Sequence, residues 1–333
     1  MRKIVSIVLV LVLVLASMVI AGCRPKAKPA PDSGAALEEI TVMLDWTPNT
    51  NYTGMYVASA RGYYEEEGLE VKLLPPAEGS VSQLTAAGKT DFGVSYQEEV
   101  TYSRVAGMPV KAIAAIIQHN TSGFASLADK GIKTPKDWEG KRYGGWGSPM
   151  EEAVLRAIMA KHNADFDQVR MVNIGSTDFF AAVKRDVDFA WIFWGWDGIE
   201  AQLRGLELDF IKVADEDPDL DYYTPVLIAN EETLSNRPEL VKKFLKATSR
   251  GYEDAISEPE KAAEIFLQAV PDLSRELVLA SQEYLSKEYQ ADAPRWGEMK
   301  ESVWKSYADF MFDNGLIEKN IDPKAAFTNE FLP

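Results

Sequence analysis

Four short stretches gather side chains of one chemical kind. They read Asp45-Trp46-Thr47-Pro48-Asn49-Thr50-Asn51-Tyr52, Tyr96-Gln97-Glu98-Glu99, Trp146-Gly147-Ser148-Pro149-Met150-Glu151-Glu152 and Phe193-Trp194-Gly195-Trp196-Asp197-Gly198-Ile199-Glu200. Indole and phenol rings present flat stacking faces, and carboxylates and carboxamides present acceptors, yet no Arg or Lys stands among these residues. An anion would want a guanidinium, an ammonium or a bare helix N-terminus. A planar ring bearing amino groups would want what is there, and stacking one ring on an aromatic side chain contributes roughly 1–3 kcal/mol. The same residues have plain structural readings: Trp46, Trp194 and Trp196 as core plugs beside Gly and Pro, Glu151, Glu152 and Asp197 as first-turn helix acids, and Glu200 as a solvated helical residue.

Bond-making chemistry is poorly represented. The chain has no Gly-x-Ser-x-Gly elbow, P-loop, His-Glu-x-x-His or dinucleotide Gly-x-Gly-x-x-Gly. His119 and His162 are its only imidazoles and Cys23 its only cysteine. The expectation is a binding protein and not an enzyme, with no catalytic residue, no metal and no cofactor.

The elements that would position the four stretches follow from hydrophobic patterning. Residues 40–44, 69–74, 91–95 and 110–117 read as strands, with helices over 52–67 and 80–87 between them. A second round follows, with strands at 142–145, 169–172 and 188–191 and helices at 148–162 and 177–185. Strands alternating with single helices indicate mainly parallel sheets covered on both faces, where ligands sit at the carboxyl ends of the strands. Each of the four stretches follows such an end. The two rounds share a sentence, Leu84-Thr-Ala-Ala-Gly-Lys-Thr-Asp-Phe-Gly-Val and Phe180-Ala-Ala-Val-Lys-Arg-Asp-Val-Asp-Phe-Ala, which suggests two lobes of similar build. Residues 226–229 read as a strand returning to the first lobe, and 237–316 are almost wholly helical.

The N-terminus carries an address. Arg2 and Lys3 precede an apolar run over 4–21 that ends in Ile20-Ala21-Gly22-Cys23, the pattern of a lipoprotein signal peptide with Cys23 as the lipidated residue. Residues 24–37 are small, polar and Pro-rich, suited to an extended tether. Loss of Arg2 and Lys3 on processing would take the net charge of −16 to about −18. That balance argues against nucleic acid. The expected organisation is a signal peptide over 1–22, lipidated Cys23 and linker over 23–37, one lobe from 38–121 plus 225–333, and another from 122–224. The mature protein is expected outside the cytoplasm, anchored to the cell membrane and monomeric.

Asp45-Trp46-Thr47-Pro48-Asn49, Ala60-Arg61-Gly62-Tyr63-Tyr64, Gly88-Lys89-Thr90-Asp91-Phe92-Gly93 and Trp194-Gly195-Trp196 resemble the NMT1/THI5-like group of type II periplasmic binding proteins. Within it the chain looks closest to the branch that binds formylaminopyrimidine or hydroxymethylpyrimidine precursors of thiamin, most of all over 118–123 and 189–200. The resemblance implies an α/β fold of two lobes joined by two hinge strands, with ligand in the cleft and delivery to the permease of an ABC importer. Carried over residue by residue, it makes Trp46 and Trp194 candidates to sandwich the ring. Asn49, Tyr52 and Tyr96 stand at the rim, and Ser122, Trp146 and Trp196 are further contacts. Glu200 or Asp197 would accept from a ring amino group, with Glu151 and Glu152 competing for that role. Riboflavin is the rival ligand. The group also contains pyrimidine synthases that consume a histidine of their own, but where those have His and a cysteine cluster this chain has Tyr52 and the 222–224 stretch without cysteine.

Overall fold

The computed structural model describes residues 36–77, 79–175 and 177–333. Cys23, the expected signal peptide and most of the expected linker lie outside the described residues. Among those described, no helix is long and apolar enough to cross a membrane.

Ten strands form two five-stranded sheets. The first contains β1 (Glu38–Met43), β2 (Leu69–Leu74), β3 (Phe92–Ser95), β4 (Val110–Ala115) and β10 (Val226–Asn230); the second contains β5 (Ser122–Leu127), β6 (Arg142–Gly145), β7 (Arg170–Asn173), β8 (Phe189–Phe193) and β9 (Leu208–Lys212). Their orders, β2-β1-β3-β10-β4 and β7-β6-β8-β5-β9, are the same pattern written twice. In each, four strands run in one direction and the fifth, β10 or β5, runs against them, antiparallel to its neighbours on both sides. The sheets are therefore mixed, where patterning alone suggested mainly parallel ones. Patterning assigned no element to β5 or β9; pairing with β8 and β9 makes β5 a central strand.

The shared sentence now has a physical meaning. Asp91 accepts from Thr41 N at 2.9 Å, and Asp188 accepts from Arg142 N at 2.9 Å. In both sheets a carboxylate just before one strand, β3 or β8, binds the backbone of its parallel neighbour, mid-strand at Thr41 of β1 and at the first residue, Arg142, of β6. Asp91 is also paired with Arg237, and Asp188 with the Arg142 guanidinium, both at 3.0 Å. The Phe that follows enters the core: Phe92 stacks on Phe244 at 4.1 Å, and Phe189 on Trp138 at 5.3 Å.

The expected 52–67 helix is broken. A short turn over Thr50–Tyr52 leads into the Thr53–Ala60 helix, and Gly62 at φ +73° separates this from Tyr63–Glu66. The left-handed conformation suits Gly and interrupts the run. The C-terminal region is helical as expected, over Pro238–Ser257, Pro259–Ala269, Arg275–Glu288 and Glu301–Asp313. The first three of these pack with the first sheet's core. The Glu301–Asp313 helix instead places Tyr307, Phe310 and Met311 in a cluster with Phe124, Tyr143 and Phe189 of the second sheet.

The Thr53–Ala60 and Pro238–Ser257 helices approach at paired glycines. A Cβ added at Gly251 would stand 2.0 Å from the Gly54 carbonyl oxygen, and one at Gly54 would stand 2.3 Å from the Tyr252 ring. Both clashes are with groups that cannot swing away. Gly251→Ala is therefore expected to destabilise the fold by about 1–3 kcal/mol, a loss that urea unfolding followed by far-UV circular dichroism will measure.

Candidate functional site

Parallel strands bring their carboxyl ends to one edge, and both sheets deliver aromatic rings there. From the first sheet, Trp46 follows β1 and is 57% exposed, and Tyr96 follows β3 at 37%. From the second, Trp146 follows β6 at 46% and Phe193 ends β8 at 41%. Trp146 is braced edge-on by Trp191, ring centroids 5.7 Å apart. Large rings left open at the ends of adjacent strands are the exception in a folded protein and mark a contact surface.

The loop bearing Trp146 is built around Glu151. This carboxylate is fully buried and accepts from Tyr143 OH at 2.6 Å and from the N–H groups of Trp146, Gly147 and Ser148 at 3.1, 2.8 and 2.8 Å. Ser148 completes a capping box at the start of the Pro149–Lys161 helix. Glu151 thus holds the strand end and does not open on the cleft, because both of its oxygens are used inside the loop.

Other sequence candidates separate in the same way. Tyr52 is fully buried and its hydroxyl donates to Asp45 Oδ1 at 2.7 Å, so it stands beneath the rim. Asn49 caps the Thr50–Tyr52 turn by accepting from Asn51 N at 2.9 Å. Ser122 is fully buried, with its N–H and hydroxyl both donating to Asn120 Oδ1, and belongs to the crossing between sheets. Glu200 is engaged by Arg204 one turn on. Trp196 packs against the cluster of Ala263, Phe266 and Val278, among the C-terminal helices. Trp194 is half-buried, tilted against Phe210 with ring centroids 4.7 Å apart. The residues 194–198 form one π-helical turn, which the Ser281 hydroxyl holds by donating to the Gly195 carbonyl. Such turns accumulate at functional sites.

Three carboxyl groups near these strand ends are poised toward neutrality. Burial pushes Asp45 up to about 6, against the opposing hydrogen bond from Tyr52. Burial likewise pushes Asp197 up to about 6, although Phe193 N donates to it. Glu98, which no sequence argument singled out, is pushed up to about 8 by burial and then by the charges of Glu99 and of Glu151 in the other lobe. The same environment raises Tyr96, chiefly by burial and then by Glu98. Glu98 lies in the first turn of the Gln97–Val105 helix, where sequence reads an ordinary dipole-favoured acid; only the tertiary structure shows it 6% exposed.

A family model described as NMT1/THI5 like matches residues 49–262. The chain belongs to the NMT1/THI5-like family. Among its NMT1/THI5-like relatives, the riboflavin-binding protein of Chloroflexus aurantiacus is 28% identical over 93% of this chain and 90% of its own. The formylaminopyrimidine-binding protein of Halalkalibacterium halodurans is 26% identical over 95% and 97%. A 4-amino-5-hydroxymethyl-2-methylpyrimidine phosphate synthase of Legionella pneumophila is 27% identical over 88% and 92%. In structure, the periplasmic aliphatic sulphonate-binding protein of Escherichia coli superimposes with a TM-score of 0.67 at 17% identity, covering 86% of this chain and 91% of that one. The two mixed sheets are those of the two-lobed periplasmic-binding-protein fold.

Two outcomes follow from the carboxyl groups. Glu151→Ala strands a buried phenol and three backbone N–H groups, so it should cost about 3–5 kcal/mol in urea unfolding. For Glu98 the folded state holds the proton more tightly than the unfolded chain, whose ordinary value is 4.5. Its burial therefore costs nothing at low pH and progressively more as pH rises from about 4.5 through about 8. Glu98→Gln is expected to be more stable than the parent by a few kcal/mol at pH 9, with the difference vanishing near pH 4, in urea unfolding across that range.

Proposed function

We propose that this chain is an extracytoplasmic solute-binding protein, anchored through lipidated Cys23, that binds a pyrimidine precursor of thiamin and delivers it to an ABC importer. The observation that carries the reading is that each sheet leaves aromatic rings open at its strand ends, Trp46 and Tyr96 on the first and Trp146 and Phe193 on the second, with the buried carboxyls of Asp45 and Glu98 near Trp46 and Tyr96 in the chain. Faces of that kind suit a flat, uncharged heteroaromatic, and the near full-length likeness to a formylaminopyrimidine-binding protein supports a pyrimidine. In this reading residues 38–121 and 225–333 form one lobe and 122–224 the other. Ligand docks in the open cleft, and the lobes close because only the closed state makes every contact.

Binding is favoured over catalysis. Where the family's synthases use His, this chain has Tyr52, buried with its hydroxyl on Asp45. Its single cysteine lies at position 23, far in sequence from 222–224. Riboflavin is the second reading, favoured by the Chloroflexus relative, since it too offers a flat heteroaromatic face.

Fluorescence titration against 4-amino-5-hydroxymethyl-2-methylpyrimidine, its formylamino counterpart and riboflavin tests the reading. The pyrimidines should quench tryptophan emission with a Kd of micromolar or tighter. Trp46→Ala and Trp146→Ala should each weaken binding about tenfold or more without lowering the melting temperature, one lost stacking face being worth roughly 1–3 kcal/mol. Saturable binding of riboflavin alone would move the ligand to the second reading; binding of none of the three would remove both.

A further inference from the structure

The chain passes between the sheets twice, from β4 to β5 over residues 116–121 and from β9 to β10 over residues 213–225. Both crossings lean on a third segment, residues 288–300. Gln118 N donates to the Glu288 carbonyl and Gln118 Nε2 to the Glu298 carbonyl, each at 3.1 Å, and Lys300 N donates to the Tyr223 hydroxyl oxygen at 2.8 Å. The third segment belongs to the first sheet: Ala115 N of β4 donates to the Gly297 carbonyl at 2.9 Å, and Trp296 lies in that sheet's core. His119 stands where the three meet. Its Nδ1 is 2.7 Å from Asp221 Oδ2 on the second crossing, and its Nε2 is 3.1 Å from Asp292 Oδ1 on the third segment.

An ionised carboxylate only accepts hydrogen bonds, and a neutral imidazole carries one N–H and one lone pair. Both nitrogens of His119 face carboxylate oxygens, so the two bonds exist together only when both nitrogens carry protons. The surroundings keep the two acids ionised. Lys300, and then His119, hold Asp292 below the usual carboxylate range. Burial works to raise Asp221, but the hydrogen bonds from His119 and from Asn120 N outweigh it and hold this carboxyl low as well. In return the bond to Asp221, joined by that to Asp292, raises His119 above its ordinary value of 6.5 against the opposing cost of burial.

We propose that His119 is a proton-operated clasp on the crossings: as imidazolium it ties the second crossing, through Asp221, to the first sheet's 288–300 segment, through Asp292, and loss of one proton opens the tie. The Asp292 bond is the one that opens. It is the longer of the two, its carboxylate is 60% exposed, and Lys300 Nζ stands 3.2 Å away as an alternative partner. Asp221 is fixed besides by Asn120 N at 2.8 Å. Crossings released from the 288–300 segment gain the rotational freedom that a hinge uses, so the spread of distances between the two halves widens as pH rises.

Titratable groups reach this knot from each element packed there. They are Asp221 and Tyr223 on the second crossing, Asp292, Glu298 and Lys300 on the third segment, and Lys212 at the end of β9. Burial keeps Tyr223 neutral up to about 12. The folded state holds the His119 proton more tightly than the unfolded chain, so the tie is whole below the ordinary value of 6.5 and is lost as pH rises through the higher folded one. Asparagine at position 292 removes that dependence. Its amide donates to the lone pair of a neutral imidazole while the other ring nitrogen still donates to Asp221, so Asp292→Asn keeps the tie without the second proton.

The test needs no ligand, so its failure leaves the functional reading untouched. His119 and His162 are the only imidazoles, so nitrogen NMR of the full chain with isotope-labelled histidine gives two sets of ring signals, which His162→Gln assigns. His119 should carry protons on both nitrogens at pH 6 and lose one with a midpoint above 6.5, and Asp292→Asn should lower that midpoint. Spin labels at Glu70→Cys on β2 and Met171→Cys on β7, both exposed, in a chain with Cys23→Ser, report the distance between the halves by pulsed electron paramagnetic resonance. The parent should give a narrow distribution at pH 6 and a clearly broader one at pH 9.5. His119→Gln, whose single amide nitrogen cannot span carboxylates on opposite sides, should be broad at both, and Asp292→Asn narrow at both. A neutral His119 at pH 6, a parent distribution that does not change between the two pH values, or a pH response that survives in His119→Gln would each overturn the clasp. An Asp292→Asn distribution that is broad at pH 9.5 overturns it as well.

Discussion

The register of the parallel strands is the constraint on which the site depends. β1 meets β3 at Val42 with Phe92 and Met43 with Gly93, and β6 meets β8 at Tyr143 with Phe189 and Gly144 with Ala190. Strands aligned this way end together, so Asp45, Trp46 and Tyr96 emerge side by side in one lobe, and Trp146 and Phe193 in the other. A slip of one residue would turn each strand's core face outward and scatter those side chains. Asp91 and Asp188 oppose the slip by binding the backbone of the neighbouring first strand, at the opposite end from the rings. Each of these aspartates is neutralised by an arginine, Arg237 or Arg142, which limits the cost of holding a charge in a half-buried place.

The antiparallel strand in each sheet couples the two halves. β10 reaches the first sheet only after the chain has built the second, and β5 opens the second directly after the first crossing. The two crossing segments are tied to each other: Asn120 N donates to Asp221 Oδ1 at 2.8 Å, Asn120 Nδ2 to the Leu220 carbonyl at 2.9 Å, and His119 Nδ1 pairs with Asp221 Oδ2 at 2.7 Å. In the proposed reading, segments bonded in this manner would move together, as a hinge rotation requires. The Gln97 and Tyr223 hydrogen bonds lie two residues beyond Asp221, so the start of the Gln97–Val105 helix is tied to the same crossing.

Local patterning was enough to locate most strands. β2 and β6 end where hydrophobic runs meet turn residues, and the aromatic and acidic stretches were found because each follows such an end. It was not enough to sort those stretches by exposure. Glu151 and Glu98 are both first-turn helix acids, identical by local criteria, yet one is sequestered by four donors and the other is left without any. The difference comes from tertiary neighbours: a tight Gly147-Ser148 loop that folds its own N–H groups inward around Glu151, and a set of phenols around Glu98. Tyr52 and Trp196 misled for the same reason, since a ring after a strand end can turn inward under the rim or outward onto the C-terminal helices. β5 was hidden because its Ser-Gly content is tolerated only between two partner strands that supply the packing its side chains lack.

Sharing a fold with a sulphonate-binding protein does not share out the ligand, because the fold positions strand ends and leaves their chemistry to the residues there. In this chain those residues are carboxyls whose charged forms are already disfavoured by burial. An anion placed among them would add repulsion of several kcal/mol per neighbouring carboxylate at contact range, and would be admitted only after each had taken up a proton. In the proposed reading a neutral ring with amino donors has the opposite effect, because it meets these carboxyls without adding charge to the gap. On the proposed reading the acidic strand ends would filter ligands by charge, through their burial more than through their number.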